Sequence, residues 1–206
     1  DGLHPPMKPA RQWCRTHGPA SRSGGYGQPV AVASPPQTQQ DDIGPAEVRR
    51  RRAVAAKQYQ PSRVRLLLVA QAPPDADDRY FYFLDVAQHD WLFRAVARAI
   101  LPHVEPTRAN KASLLAPLRD RGMFLSDLKP DPADGSDLSP YVPALLDRIA
   151  KLEPERIILI KADVFRVAYP VLAAAGLPVS QTRIPFPSSG RQKEFAVTFG
   201  RALAGE

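Results

Sequence analysis

The sequence predicts an α/β fold: a three-layer α/β/α sandwich built on a central, mostly parallel sheet of four strands. Two observations lead there. Four segments of strand length, at residues 64–70, 123–128, 156–160 and 179–184, are separated by segments of helical length. Strands alternating with helices in this way imply crossover connections, which leave the strands parallel and the helices on both faces. The hydrophobic content, 44% of 206 residues, suffices for one such core plus a tail.

Each element has a local reason. Residues 64–70 form a compact apolar run bounded by prolines, the mark of a buried strand. Trp91, Leu92, Ala95, Val96, Ala99 and Ile100 recur at helical spacing, with Asp90 as the N-cap. Residues 108–118 are expected to form a second helix, and 123–128 a strand running into the stiff loop 129–132. From Pro140, the residues Val142, Leu145, Leu146, Ile149 and Leu152 mark a helix with one apolar face. A third buried strand follows at 156–160. The helix expected over 163–175 contains Pro170, which must bend or interrupt it. Residues 179–184 are the fourth strand and 190–204 the closing helix. The sequence has no internal repeat, P-loop or dinucleotide-binding glycine fingerprint.

Residues 1–62 read differently, as a basic Pro/Gly-rich tail preceding a domain at 63–206. Residues 1–44 hold seven Pro and six Gly with few large aliphatics, so disorder is expected there. Pro45 opens a short helix to about Lys57 that contains Arg49-Arg50-Arg51-Arg52. The net charge of +7 divides into +5 on residues 1–62 and +2 on the remainder. A basic arm suits a polyanion such as DNA through counterion release, or serves only as a solvated arm. The apolar runs are too short to span a membrane, and no N-terminal stretch reads as a signal peptide. Cys14 is the single cysteine, which excludes an internal disulfide and an all-cysteine metal site. A cytoplasmic, monomeric protein is expected, associated with the nucleoid if bacterial.

In an open α/β sheet, the loops at the carboxyl ends of strands form the ligand crevice. Two such loops stand out, one ending in Gln71-Ala72-Pro73-Pro74 and one running Ile184-Pro185-Phe186-Pro187-Ser188-Ser189-Gly190-Arg191. Gln71 suits a water-orienting or base-reading role, or a turn cap. Asp75, Asp77 and Asp78 suit acid–base work, or the turn that follows two prolines. Tyr80 and Tyr82 offer a stacking platform, or cover a sheet. Lys129 suits a phosphate contact or plain solvation. Ser188, Ser189 and Gly190, with Arg191 and Lys193, sit where a helix start attracts phosphate, or where a serine simply caps it. Phe186 is a wedge or a pocket wall. His89 and His103 lack the arrangement of metal ligands, and no cofactor is expected.

The order and spacing of these pieces resemble the uracil-DNA glycosylase superfamily over roughly residues 63–204. Ala70-Gln71-Ala72-Pro73-Pro74 is similar to the motif that positions water, and Ser126-Asp127-Leu128-Lys129-Pro130 to the strand that reads the base. Ile184-Pro185-Phe186-Pro187-Ser188 resembles the last motif, ahead of the closing helix. The resemblance implies catalysis by Gln71 with Asp75, Asp77 or Asp78. It implies base contacts from Ala72, Pro73, Tyr80, Tyr82, Ser126 and Ile184. Phosphate contacts are implied for Lys129, Pro187, Ser188, Ser189, Gly190 and Arg191. The implied activity is hydrolysis of the N-glycosidic bond of a deaminated or damaged base in DNA, without a metal. The chain departs from the pattern at Ile184, where the family has His, at Ser126, where it has Asn, and at Gln71, where Glu is common. Two rivals follow: a non-catalytic DNA- or nucleotide-binding protein on the same fold, and an unrelated α/β hydrolase of small nucleosides.

Overall fold

The computed structural model describes residues 44–86 and 90–205. Residues 1–43 of the segment expected to be disordered, with Cys14, and also His89, lie outside the described residues.

Three strands form one parallel sheet: β1 (Leu66–Ala70), β2 (Met123–Asp127) and β3 (Ile157–Leu159), in the order β2-β1-β3. Leu66 to Ala70 pair in register with Met123 to Asp127, and Leu67 to Val69 with Ile157 to Leu159. Leu67, Leu68 and Val69 are wholly buried, as a central parallel strand covered on both faces requires. The fourth predicted strand is reduced to two parallel bridges beside β3, Ile157 with Val179 and Ile160 with Ile184. Pro178 and Pro185 bracket that segment. A proline has no N–H for a ladder, and Pro178 contributes by accepting from the N–H of Ile157 (2.8 Å).

Among the described residues, six α-helices accompany the sheet: α1 (Pro45–Gln58), α2 (Trp91–Ile100), α3 (Lys111–Asp120), α4 (Val142–Leu152), α5 (Ala162–Ala174) and α6 (Gln192–Ala204). Helix α2 packs on α3 and α6, and α4 on α5. The Asp90 carboxylate caps α2, accepting from the N–H of Phe93 (3.2 Å). Helix α5 runs through Pro170 without interruption. Arg166 and Pro170 are exposed, so water meets the carbonyl that the missing N–H leaves unbonded.

Helix α1 packs on the folded domain, although the sequence assigns it to the tail that ends at residue 62. Val48 is buried, and the Tyr59 ring stacks on Tyr82 with centroids 6.0 Å apart. Arg52, 4% exposed, donates to the carbonyls of Pro74 (2.8 Å) and Ala76 (3.2 Å). The arginine run is therefore shared out rather than presented as one patch. Arg49 pairs with Asp131 and Arg50 with Glu47, while Arg51 lies over the ring of Phe83. This distribution answers the like-charge repulsion that four adjacent arginines create on one helix.

Candidate functional site

A cavity of about 650 Å³ opens at the carboxyl ends of the three strands. Its walls include Gln71 after β1, Asp127 ending β2 and Lys161 after β3. Tyr80, Phe81, Trp91 and Phe186 add aromatic surface, and Ser188 and Arg191 come from the loop before α6. Trp91 and Phe186 are both more than one-third exposed, which places them towards solvent while Tyr80 and Phe81 are buried.

Strand parity decides which residue of β2 faces the cavity. Side chains two apart share a face. Leu125 and Asp127 both line the cavity; Ser126, between them, does not. Ser126 is thus not brought to the site, and Asp127 takes its place. Burial pushes the Asp127 carboxyl up to about 7, against the pull of the Arg52 and Arg148 guanidiniums. Arg148 is held there by donating to the carbonyls of Asp127 (2.9 Å) and Leu128 (3.3 Å). The buried Nε atoms of Arg52 and Arg148 have no hydrogen-bond partner in the structure.

The first loop enters the site in part. The side-chain oxygen of Gln71 accepts from the Lys161 ammonium, and its backbone carbonyl accepts from the N–H of Lys129 (2.9 Å). Ala72 lines the cavity, whereas Pro73 is buried behind it. Asp75, Asp77 and Asp78 are exposed and none lines the cavity. Arg52 holds the turn that carries them, through its two carbonyl bonds on either side of Asp75.

Of the two tyrosines, Tyr80 lines the cavity and Tyr82 does not. The Tyr82 hydroxyl accepts from the N–H of Leu125 (2.6 Å) and donates to its carbonyl (3.1 Å). Those two backbone groups lie on the free edge of β2, so Tyr82 completes an edge strand rather than stacking on a ligand. Burial raises the phenols of both Tyr80 and Tyr82 well above their ordinary value, so both stay neutral.

Among the predicted phosphate contacts, Ser188 and Arg191 line the cavity. Ser189 and Gly190 are exposed and Pro187 is buried; none of the three lines it. Helix α6 starts at Gln192 with Arg191 as its N-cap, so Ser188 and Ser189 precede the first turn and neither caps it. Arg191 is bound by both oxygens of Glu194, at 3.0 and 3.1 Å. Lys129 is 3% exposed, donates to the Ser136 hydroxyl (3.1 Å), pairs with Asp134 and lies over the Tyr141 ring. It closes the loop after β2 and is not presented to a ligand. Ile184 is fully buried and does not line the cavity.

Among the cavity residues that the sequence does not single out as site residues are Asp127, Lys161 and Trp91. Strand parity is the signal for Asp127. Trp91, 36% exposed, stands out from a helix whose other aromatic, Phe93, is buried. Among the described residues, no group of three or more His, Cys, Asp or Glu is placed to hold a metal ion, and no helix is long and apolar enough to cross a membrane. No protein-family model matches this chain, and no curated protein is significantly similar to it.

Proposed function

We propose that the chain releases a deaminated or damaged base from DNA by hydrolysing its N-glycosidic bond, as the resemblance to uracil-DNA glycosylases implies. One observation carries this reading: Gln71, Asp127 and Lys161, each from the end of a different strand, converge on one cavity with aromatic walls. In this reading the bridged segment 179–184 is a fourth strand, and the helices form two layers around the sheet.

The chemistry follows from the groups present. A base turned out of the duplex enters between aromatic side chains, with Phe186 and Trp91 at the solvent side and Tyr80 deeper. The C1′–N bond breaks with its electron pair on the base, leaving a sugar cation. Ionised Asp127 faces that cation and accepts a proton from the attacking water, whose oxygen bonds to C1′. Gln71 positions the water, and Ser188 with Arg191 contacts the adjacent phosphate. The reaction needs no cofactor, and a monomer suffices.

A second reading is favoured by Ile184, which is fully buried and offers no donor where the family has His. It makes the protein a non-catalytic binder of DNA or nucleotide on the same fold.

Labelled oligonucleotides carrying uracil, hypoxanthine, xanthine or ethenocytosine separate the two. The glycosylase gives an alkali-labile break at one base, lost in Asp127→Asn and in Gln71→Ala. Binding to abasic or base-modified DNA with no break at enzyme excess supports the binder instead.

A further inference from the structure

Lys161 holds a backbone conformation that lysine ordinarily avoids. Its φ of 84° and ψ of 139° fall in a region that is essentially reserved for glycine. Glu153, the other non-glycine residue with positive φ among those described, sits in the ordinary left-handed region at the end of α4. The conformation at Lys161 is fixed from both sides. Its N–H donates to the Ile184 carbonyl (2.8 Å), the preceding Ile160 N–H donates to Val69 (2.9 Å), and its own carbonyl receives the N–H of Phe165 (3.1 Å). Glycine would make all three bonds without strain. A lysine there keeps a side chain at a conformational cost, and that side chain lies in the cavity.

The ammonium is placed to reach a ligand in the cavity. Its hydrogen-bond partner is the Gln71 amide oxygen, which orients it without neutralising it. Asp163, which also lines the cavity, pairs with Lys161 at 3.9 Å and more closely with Arg166, at 3.3 Å. The lysine side chain is 39% exposed, and an ammonium has three donors. Arg191, also in the cavity wall, is held by both oxygens of Glu194.

We infer that Lys161 is a catalytic residue whose ammonium meets the negative charge gathering on the base as it departs. This rests on the base-release reading above. As the C1′–N bond breaks, the electron pair passes to the ring nitrogen and spreads onto the ring carbonyl oxygens. A cation fixed in a partly desolvated pocket stabilises that charge in the transition state more than in the bound substrate. Lys161 adjoins Ile184 through a backbone hydrogen bond, and its side chain lines the cavity that the buried Ile184 side chain does not reach.

The test compares single-turnover base release from DNA containing uracil and DNA containing 5-fluorouracil, whose anion is the more stable leaving group. Lys161→Gly, which fits the backbone, should slow uracil release by about 100-fold and 5-fluorouracil release much less. Lys161→Arg should restore part of the loss. Equal slowing of both bases, or no slowing, overturns the assignment. Should the wild type release neither base, equilibrium dialysis with free 5-nitrouracil, anionic at pH 7.5, and neutral uracil still decides it. About tenfold preference for the anion, lost in Lys161→Gly and kept in Lys161→Arg, upholds the anion-binding role while the hydrolase reading falls. No such preference overturns both.

Discussion

The side-chain oxygen of Gln71 accepts a hydrogen bond from the ammonium of Lys161, tying the ends of β1 and β3 together across 90 positions of sequence. Neither residue is charged against the other, so the bond orients without neutralising. The cavity wall carries Lys161 after β3, with Asp163 beside it, and the Asp127 carboxylate at the end of β2. Separated charges of opposite sign are what a bond breaking into a sugar cation and a base anion requires.

Strain at Lys161 predicts a trade between stability and function. Lys161→Gly should raise the unfolding free energy by about 1 kcal/mol, the strain relieved exceeding the entropy that glycine adds to the unfolded chain. Urea unfolding checks this. An unchanged or lower midpoint would mean that the lysine conformation carries no strain.

Asp127 predicts a pH dependence whose sign is fixed. Its folded value, about 7, lies above the ordinary carboxylate value of 3.8. Between those values the native protein holds a proton that the unfolded chain has lost. The stability this gives is fully present below about pH 4 and declines as pH rises towards 7, by on the order of 4 kcal/mol. Asp127→Asn should lack that decline, which is read by comparing the pH slopes of wild type and variant.

Tyr82 predicts a large effect from one oxygen. Tyr82→Phe leaves the N–H and carbonyl of Leu125 without their partner at the buried edge of β2. The expected cost is about 2–3 kcal/mol, with activity per folded molecule unchanged. Thermal unfolding and a single-turnover assay together check both halves.

Arg52 predicts a coupling between α1 and the turn after β1. Arg52→Ala frees the carbonyls of Pro74 and Ala76 and should cost about 2 kcal/mol. Limited proteolysis should then cut within 75–78 faster than in the wild type. Unchanged cleavage would show that the turn holds its shape without α1.

The sequence reveals elements whose cause is local and misses those whose cause is tertiary. The strand at 66–70 is legible because Leu67, Leu68 and Val69 are apolar on consecutive positions, as burial on both faces demands. The run at 179–184 sets Ser180, Gln181, Thr182 and Arg183 between Val179 and Ile184, and it pairs at two bridges made by those apolar end residues. Gln71, Tyr80, Ser188 and Arg191 are legible as cavity residues from their place at strand and helix ends. Ser126 and Asp127 differ by one position, and the choice between them needs the side-chain parity set by Leu125. The acids at 75, 77 and 78 suggest chemistry by residue type, but the turn leaves them in solvent. Nothing in residue type announces Lys161, since its distinguishing property is a dihedral angle. Arg52 and Tyr59 look like tail residues until their partners, Pro74 and Tyr82, are brought beside them by the fold.

The most direct test is free-base release under enzyme excess, followed by mass spectrometry from pH 5 to 9 on the four modified oligonucleotides. The predicted result is one released base, with a rate rising as Asp127 ionises through about pH 7 and no release by Asp127→Asn. Folded wild-type protein that releases no base at any pH, or release that survives in Asp127→Asn with an unchanged pH profile, would contradict the account.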